Sequence, residues 1–250
     1  MLILFSLIVM RMSGLILLNP IFGSGVIPSR VKAALVMVFS LMLYTWNGGA
    51  MVSEPGSLLE YGVMLLAEML MGFVLGFAVS LVTFAVRYAS AIIDFSMGFS
   101  MAQVYDPETK TQMTVSSELF YAFFILLFFA VNGHLRLVAI FFGSAELVPF
   151  GQVALGPSLY AALLDAFTES VVLGFQLAFP IVAMELVTEA AVGIMMRMIP
   201  QINVFAVNFQ IKIIVGMLML LILFSPLSDR LSEWIAGLFP TLEGLIALMQ

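Results

Sequence analysis

GVMLLAEMLMGFVLGFAVSLVTF, residues Gly62–Phe84, carries one charge, Glu68, in a run long enough to cross a bilayer. As a helix, about 20 apolar residues span the ~30 Å hydrocarbon layer. Gly72, Gly76 and Ser80 recur at i, i+4 and i+8, which lays small residues along one face and suits close approach of a second helix. Outward from this stretch, five more are apolar at similar scale: Leu2–Phe22, Ala33–Trp46, Leu119–Phe142, Val171–Val192 and Val204–Phe224. Ala33–Trp46 is short and reads as a re-entrant or half-buried helix, and Trp234–Met249 is too short for an untilted span. The expectation is an all-α, multi-pass membrane protein of kinked helical hairpins with about six hydrophobic helices.

Composition agrees. Hydrophobic residues make up 63% of the 250 and charged residues 10%, with a mean hydropathy of +1.17. A soluble domain carries roughly 45–50% and about 25%. Nine Lys and Arg scattered singly in a net charge of −6 leave no basic footprint, so nucleic acid is not an expected partner. The chain has no Cys and a single His, His134, which removes thiolate and His-rich metal sites. His134, in NGHLR, reads as a satisfied interfacial side chain. No G-x-S-x-G, H-E-x-x-H or P-loop pattern occurs, and Asp94 and Asp165 do not make a pair at membrane depth. The reading is therefore non-enzymatic, with no cofactor and no metal. Met1–Met10 lacks a basic region before it and no A-x-A-like site closes it, so it reads as a first membrane segment and not a cleaved signal. Loops counted from the N-terminus hold five Lys or Arg when odd-numbered, against Arg136 and Arg230 elsewhere, which places odd loops in the cytoplasm.

Polar residues at membrane depth are the functional candidates, because each charged group near a helix centre costs about 2.5–3.5 kcal/mol on insertion scales. Glu185 and Glu189 share a helix face at i, i+4, and Arg197 falls near it eight residues later. They read as a salt-bridging set, within the chain or between subunits, or as a proton or ion relay. Gln201, Asn203, Asn208, Gln210 and Lys212 form a dense polar cluster able to bond across helices or line a wet path. Arg11, inside the first span, either snorkels or faces a carboxylate such as Glu68 or Asp94. Pro180 inside the fifth span frees a carbonyl, so the fifth and sixth segments read as a bent hairpin packed into protein.

The connection Ala85–Glu118 is too long for an ordinary loop and too apolar for a solvated linker. Phe95, Met97, Phe99, Met101, Tyr105 and Met113 give it a deformable apolar surface around Asp106 and Pro107. It suits a gasket, or an amphipathic helix resting on lipid.

Four stretches carry a family resemblance: RMSGLILLNPIFGSGVIPSRVKAAL at Arg11–Leu35, GFSMAQVYDPET at Gly98–Thr109, NGHLRLV at Asn132–Val138 and MRMIPQINVFAVNFQIKIIVG at Met196–Gly216. In this order they resemble the FliR family, whose injectisome counterparts are called SctT. The resemblance implies a core subunit of the type III export gate, forming with FliP-like and FliQ-like subunits a pore for unfolded flagellar proteins. FlhB-like and FlhA-like export components are further implied partners, and the location is the bacterial inner membrane at the flagellar basal body. It implies one integral membrane domain over 1–250, with about 1–170 FliP-like and about 171–250 a FliQ-like hairpin. The family's pore plug carries over to the segment from about Asp94 to Glu118. Phe95, Met97, Phe99, Met101, Tyr105, Asp106, Pro107 and Met113 are the gate candidates there. Arg11, Glu185, Glu189, Arg197, Gln201, Asn203, Asn208 and Lys212 are the interface or intramembrane polar candidates. An injectisome subunit is the neighbouring alternative, and a proton-coupled small-molecule transporter a more distant one.

Overall fold

The apolar runs fold into helices longer than the spans they suggest. The computed structural model describes residues 2–46, 55–99, 104–106, 111–113, 115–198 and 204–250, with 104–106, 111–113, 115 and 204–206 as backbone. Its helices are α1 (Leu2–Leu17), α2 (Ser29–Trp46), α3 (Leu58–Met97), α4 (Val115–Ala130), α5 (Gly133–Leu147), α6 (Pro157–Met198) and α7 (Val204–Ala247). Between α3 and α4 lies a short antiparallel hairpin, β1 (Val104–Asp106) with β2 (Thr111–Met113).

Three of these helices, α3, α6 and α7, are long and apolar enough to cross a membrane, and α4 with α5 makes a fourth if the bent pair counts as one span. The described residues hold seven helices against the about six hydrophobic ones expected, with bounds that differ. The third span continues through Arg87 to Met97, so residues 85–97 of the expected loop are helix. Val204–Phe224 and most of Trp234–Met249 belong to one helix, which continues through the less apolar run Ser225–Glu233 although Pro226 there has no N–H to donate. Conversely, Leu119–Phe142 is broken. Asn132 adopts φ 57°, a left-handed conformation that Asn tolerates better than most residues, and the pair bends by 69° there.

Local chemistry sets several helix ends. Ser57 accepts from the Glu60 N–H at 3.2 Å while the Glu60 carboxylate accepts from the Gly56 N–H at 2.7 Å, a reciprocal cap that starts α3. Pro157 opens α6, where its missing N–H costs no helical bond. After α1, the Asn19 side-chain oxygen accepts from Ile21 N (2.8 Å) and Phe22 N (3.1 Å), turning the chain at Pro20.

Contacts divide the chain into two compact units, and the division falls inside α3, α4, α6 and α7. The first contains Met1–Val82, Phe128–Thr168 and Ile235–Gln250. Its core includes Leu7, Met12, Leu15, Leu75, Phe141 and Phe239. Here the small-residue stripe on α3 meets α1. A Cβ on Gly72 would overlap the Arg11 carbonyl and one on Gly14 the Met69 carbonyl, both backbone atoms that cannot move aside. Rings of Phe22, Phe39 and Phe142 stack edge to face, and the Arg136 guanidinium lies 4.2 Å from the Phe239 ring centre.

The second unit contains Thr83–Leu127 and Glu169–Trp234. Its core includes Val86, Ile93, Met97, Phe124, Leu177 and Ile181. Arg87 of α3 lies over Tyr121 of α4 at 4.1 Å, Gly174 of α6 approaches the Ala85 carbonyl of α3, and Phe123 of α4 meets Phe224 of α7 at 4.9 Å.

Candidate functional site

In the second unit, α3 delivers the chain to the hairpin through a fixed exit. Met97 is fully buried, and its side chain fills the space a Cβ on Gly216 of α7 would need, 2.5 Å from Met97 Cε. Gly98 follows with φ 83°, a left-handed turn that costs glycine little, and a Cβ there would lie 3.2 Å from the Phe209 ring. β1 and β2 pair in the register Val104–Met113, Tyr105–Gln112 and Asp106–Thr111. The chain then enters α4, whose Ser116 N–H donates to Asp94 Oδ2 at 3.0 Å. Asp94 is fully buried, and among the described residues its Oδ1 has no partner.

The gate candidates therefore fall into different settings. Phe95 and Met97 are helical residues of α3 and not part of a loop, which corrects the expected boundary at Ala85. Phe95 is exposed while Met97 is buried against Gly216. Phe99 is half-buried at the end of α3. Tyr105, Asp106 and Met113 sit in the hairpin strands. Met101 and Pro107 lie outside the described residues.

The polar candidates separate in the same way. Arg11 is fully buried in the first unit and faces Glu68, one of the two carboxylates expected for it. Arg11 Nε donates to Glu68 Oε2 at 2.5 Å and Nη2 to Oε1 at 3.0 Å, a bidentate fork. Nη1 donates to the Ser144 and Val148 carbonyls at 3.1 and 3.0 Å, and the Gly151 N–H donates to Glu68 Oε1 at 2.7 Å. The Phe150 ring covers the guanidinium at 4.2 Å. This network ties α1, α3, the end of α5 and the turn after it, with every charge-bearing oxygen of Glu68 engaged.

Glu189 pairs with Lys212 of α7 at 3.2 Å, not with Arg197, which is exposed at the end of α6. The reason is geometric: α7 returns beside α6, so a lysine eight residues into the second helix lies closer than an arginine two turns along the first. Glu185 is 2% exposed, and neither of its carboxylate oxygens has a partner among the described residues. The Asn208 side-chain oxygen is likewise without a partner there. Gln201 and Asn203 lie outside the described residues. His134 stacks near Phe129 at 4.8 Å, but its Nδ1 finds no partner among the described residues, contrary to the expectation of a satisfied side chain.

Sequence reasoning missed the pairing of Asp94 with Ser116 and of Met97 with Gly216. Both contacts join residues distant in the chain, and neither follows from local pattern. Among the described residues no cluster of His, Asp and Glu has the arrangement of a metal site.

The chain matches the family described as Bacterial export proteins, family 1, over residues 2–238. It is 29% identical over 251 residues to the flagellar biosynthetic protein FliR of Bacillus subtilis (strain 168), covering 98% of this chain and 95% of that one. The protein of the same name from Escherichia coli (strain K12) is 29% identical over 234 residues, 92% of this chain and 88% of its own length. That of Aquifex aeolicus (strain VF5) is 26% identical over 230 residues, at 91% and 87%. A match over almost the whole chain, on an all-helical frame with long apolar helices, places it: the chain belongs to family 1 of the bacterial export proteins, the FliR family.

Proposed function

We propose that this chain is a core subunit of the flagellar type III export gate, passing unfolded flagellar proteins across the bacterial inner membrane at the basal body. The observation that carries the reading is the near-complete match to family and to flagellar relatives, over residues 2–238. The geometry supports a gating role for the segment between Met97 and Ser116, which leaves the helical frame as a hairpin between two anchored ends. In this role Phe99, Met101, Tyr105 and Met113, with Asp106 and Pro107, form an apolar seal displaced by a passing chain. The mechanism is steric, and the force and substrate choice reside in other components.

The partners are FliP-like and FliQ-like subunits, with FlhB-like and FlhA-like components beside them. Exposed apolar side chains of α6 and α7, Leu186, Val187, Leu221 and Ile222 among them, support an assembly that covers them. The FliQ-like part is the hairpin from about residue 171 to 250. The flagellar names of the relatives favour the flagellum over an injectisome.

The test is deletion of Gln103–Met113 in the gate expressed with its partner subunits, read as ion conductance of the membrane. The expected result is a leak. Unchanged conductance with normal assembly overturns the sealing role.

A further inference from the structure

We infer that the groove between α6 and α7 at Arg230 and Trp234 is a phospholipid headgroup site, selective for a zwitterionic headgroup with a primary amine. The inference stands on residues of the second unit alone and does not depend on the sealing role.

Leu173, Gln176 and Leu177 of α6 and Arg230 and Trp234 of α7 line a cavity of about 290 Å³. That is roughly the liquid volume of ten waters, enough for a headgroup and too small for an acyl chain. Its polar groups are unspent. Among the described residues Arg230 bonds only through Nη1, which donates to Glu233 Oε2 at 3.0 Å, and the Gln176 amide and the Trp234 indole N–H bond to no other residue. Donors of this kind on one cavity wall suit an anionic oxygen, and the planar guanidinium suits a phosphate in particular.

The charge beside them narrows the class. Arg230 and Glu233 stand at i, i+3 with side chains 71% and 64% exposed, so the guanidinium on the cavity wall carries a carboxylate at its side. A simple phosphate diester is drawn by one and repelled by the other. A headgroup that holds both phosphate and ammonium sets each against its opposite, phosphate on Arg230 and ammonium on Glu233. A primary ammonium donates N–H to the carboxylate, and a quaternary one has none to donate.

Depth and surroundings identify the source as lipid and not a soluble phosphate. The apolar stretch Ile214–Phe224 of α7 rises about 15 Å, half of the ~30 Å hydrocarbon layer. The polar run Ser225–Glu233 follows it, at the level where a leaflet's headgroups begin, and Trp234 is a residue type that concentrates at that level. Phe175 and Phe179, either side of Gln176 on α6, are 49% and 56% exposed with ring centres 6.0 Å apart, an apolar wall for the acyl chains.

The chain has two tryptophans, Trp46 and Trp234, so Trp46→Phe leaves Trp234 as the only indole. The full chain with this change is placed in nanodiscs of phosphatidylcholine. Quenching of Trp234 is then measured as brominated phosphatidylethanolamine, phosphatidylglycerol or phosphatidylcholine replaces part of the lipid. The ethanolamine lipid is expected to occupy the site about fivefold more strongly than the other two, the worth of one or two exposed charge-assisted hydrogen bonds. Arg230→Met is expected to bring the three lipids to parity, and Glu233→Gln to shift the preference to phosphatidylglycerol. Both positions are exposed, so size-exclusion profiles should stay parental, and if one variant misfolds the other decides.

Equal quenching by all three lipids overturns the site, as does an ethanolamine preference that survives either substitution. A parental preference for phosphatidylglycerol shows a plain anion site and overturns the headgroup assignment. Absence of quenching by any lipid shows that protein covers Trp234 and defeats the proposal as well. Free phosphoethanolamine at millimolar concentration is expected to leave the preference intact. If it abolishes the preference, the site takes a soluble phosphate and the lipid assignment fails.

Discussion

Arg11→Met is the sharpest probe of what holds the first unit together. The substitution keeps an unbranched apolar stem of similar reach to the arginine Nε and removes the guanidinium. Glu68 then loses both arms of its fork and keeps only the Gly151 N–H, while the Val148 carbonyl loses its Arg11 donor. The Ser144 carbonyl is less affected, since it also accepts from the Val148 N–H at 3.0 Å. The main cost is thus a buried carboxylate left without its counter-charge, about 3–5 kcal/mol. That is a large share of a typical total of about 5–15 kcal/mol, and for a chain of this size corresponds to a melting shift on the order of 10 °C. The double variant Arg11→Met with Glu68→Met removes both charges and is expected to recover much of the loss. The charge swap Arg11→Glu with Glu68→Arg is expected to recover little. It would aim a carboxylate at the two carbonyls and a guanidinium at the Gly151 N–H, so the network depends on direction as well as charge. The assay is thermal stability of the purified chain in mild detergent, followed by size-exclusion, for the single, double and swapped forms. A swap as stable as the parent would refute this account, as would Arg11→Met at parental stability.

Two further substitutions test packing and exposure. Gly72→Leu drives a side chain into the Arg11 backbone and should sharply reduce folded protein on size-exclusion, at a cost of about 1–3 kcal/mol or more, whereas Gly62→Leu, with open space around its Cβ, should be neutral; equal yields would show that α1 and α3 do not meet at the stripe. Lys212→Met breaks the Glu189 pair, whose side chains are 17% and 57% exposed, and should move the melting temperature of the isolated chain by under about 3 °C; a loss as large as that of Arg11→Met would contradict the exposed placement.

What the sequence made legible follows from which signals are local. The glycines at 72 and 76 announced a close helix crossing, and the structure puts α1 there, because absence of a side chain is a local property with a local consequence. Arg11 inside a span pointed either to snorkelling or to a carboxylate such as Glu68 or Asp94. Choosing between them required tertiary placement, which periodicity does not encode. Asp94 turned out to serve the N-terminus of α4 instead. Helix ends were misjudged wherever hydropathy stood in for helicity. Arg87 and the run Ser225–Glu233 read as loop boundaries, yet Arg is a good helix former and α7 continues through the run despite Pro226. The opposite error arose at Asn132, where one left-handed residue breaks an apolar run that hydropathy sees as continuous.

Helix α7 shows that one composition has two fates. In its last stretch Ile235, Leu238, Phe239, Leu242, Leu245 and Ile246 are buried in the first unit, so the run that looked like a short seventh span is core. In its earlier stretch Ile214, Leu218, Leu221 and Ile222 are more than half exposed, and only 11% of the apolar window of α7 is buried, against 61% for α3. Lipid would satisfy those aliphatic side chains, and so would a neighbouring protein. The polar residues at the same hairpin separate the two covers. Glu189 leaves 57% of its side chain outside the chain's own packing, and Lys212 beside it is not fully enclosed. A charged group facing hydrocarbon costs about 2.5–3.5 kcal/mol, more than an exposed ion pair returns. A polar neighbour or water at that level removes the cost, as a subunit interface or a wet conduit provides. The exposed apolar face of α6 and α7 thus carries an ion pair that lipid alone would leave unsatisfied.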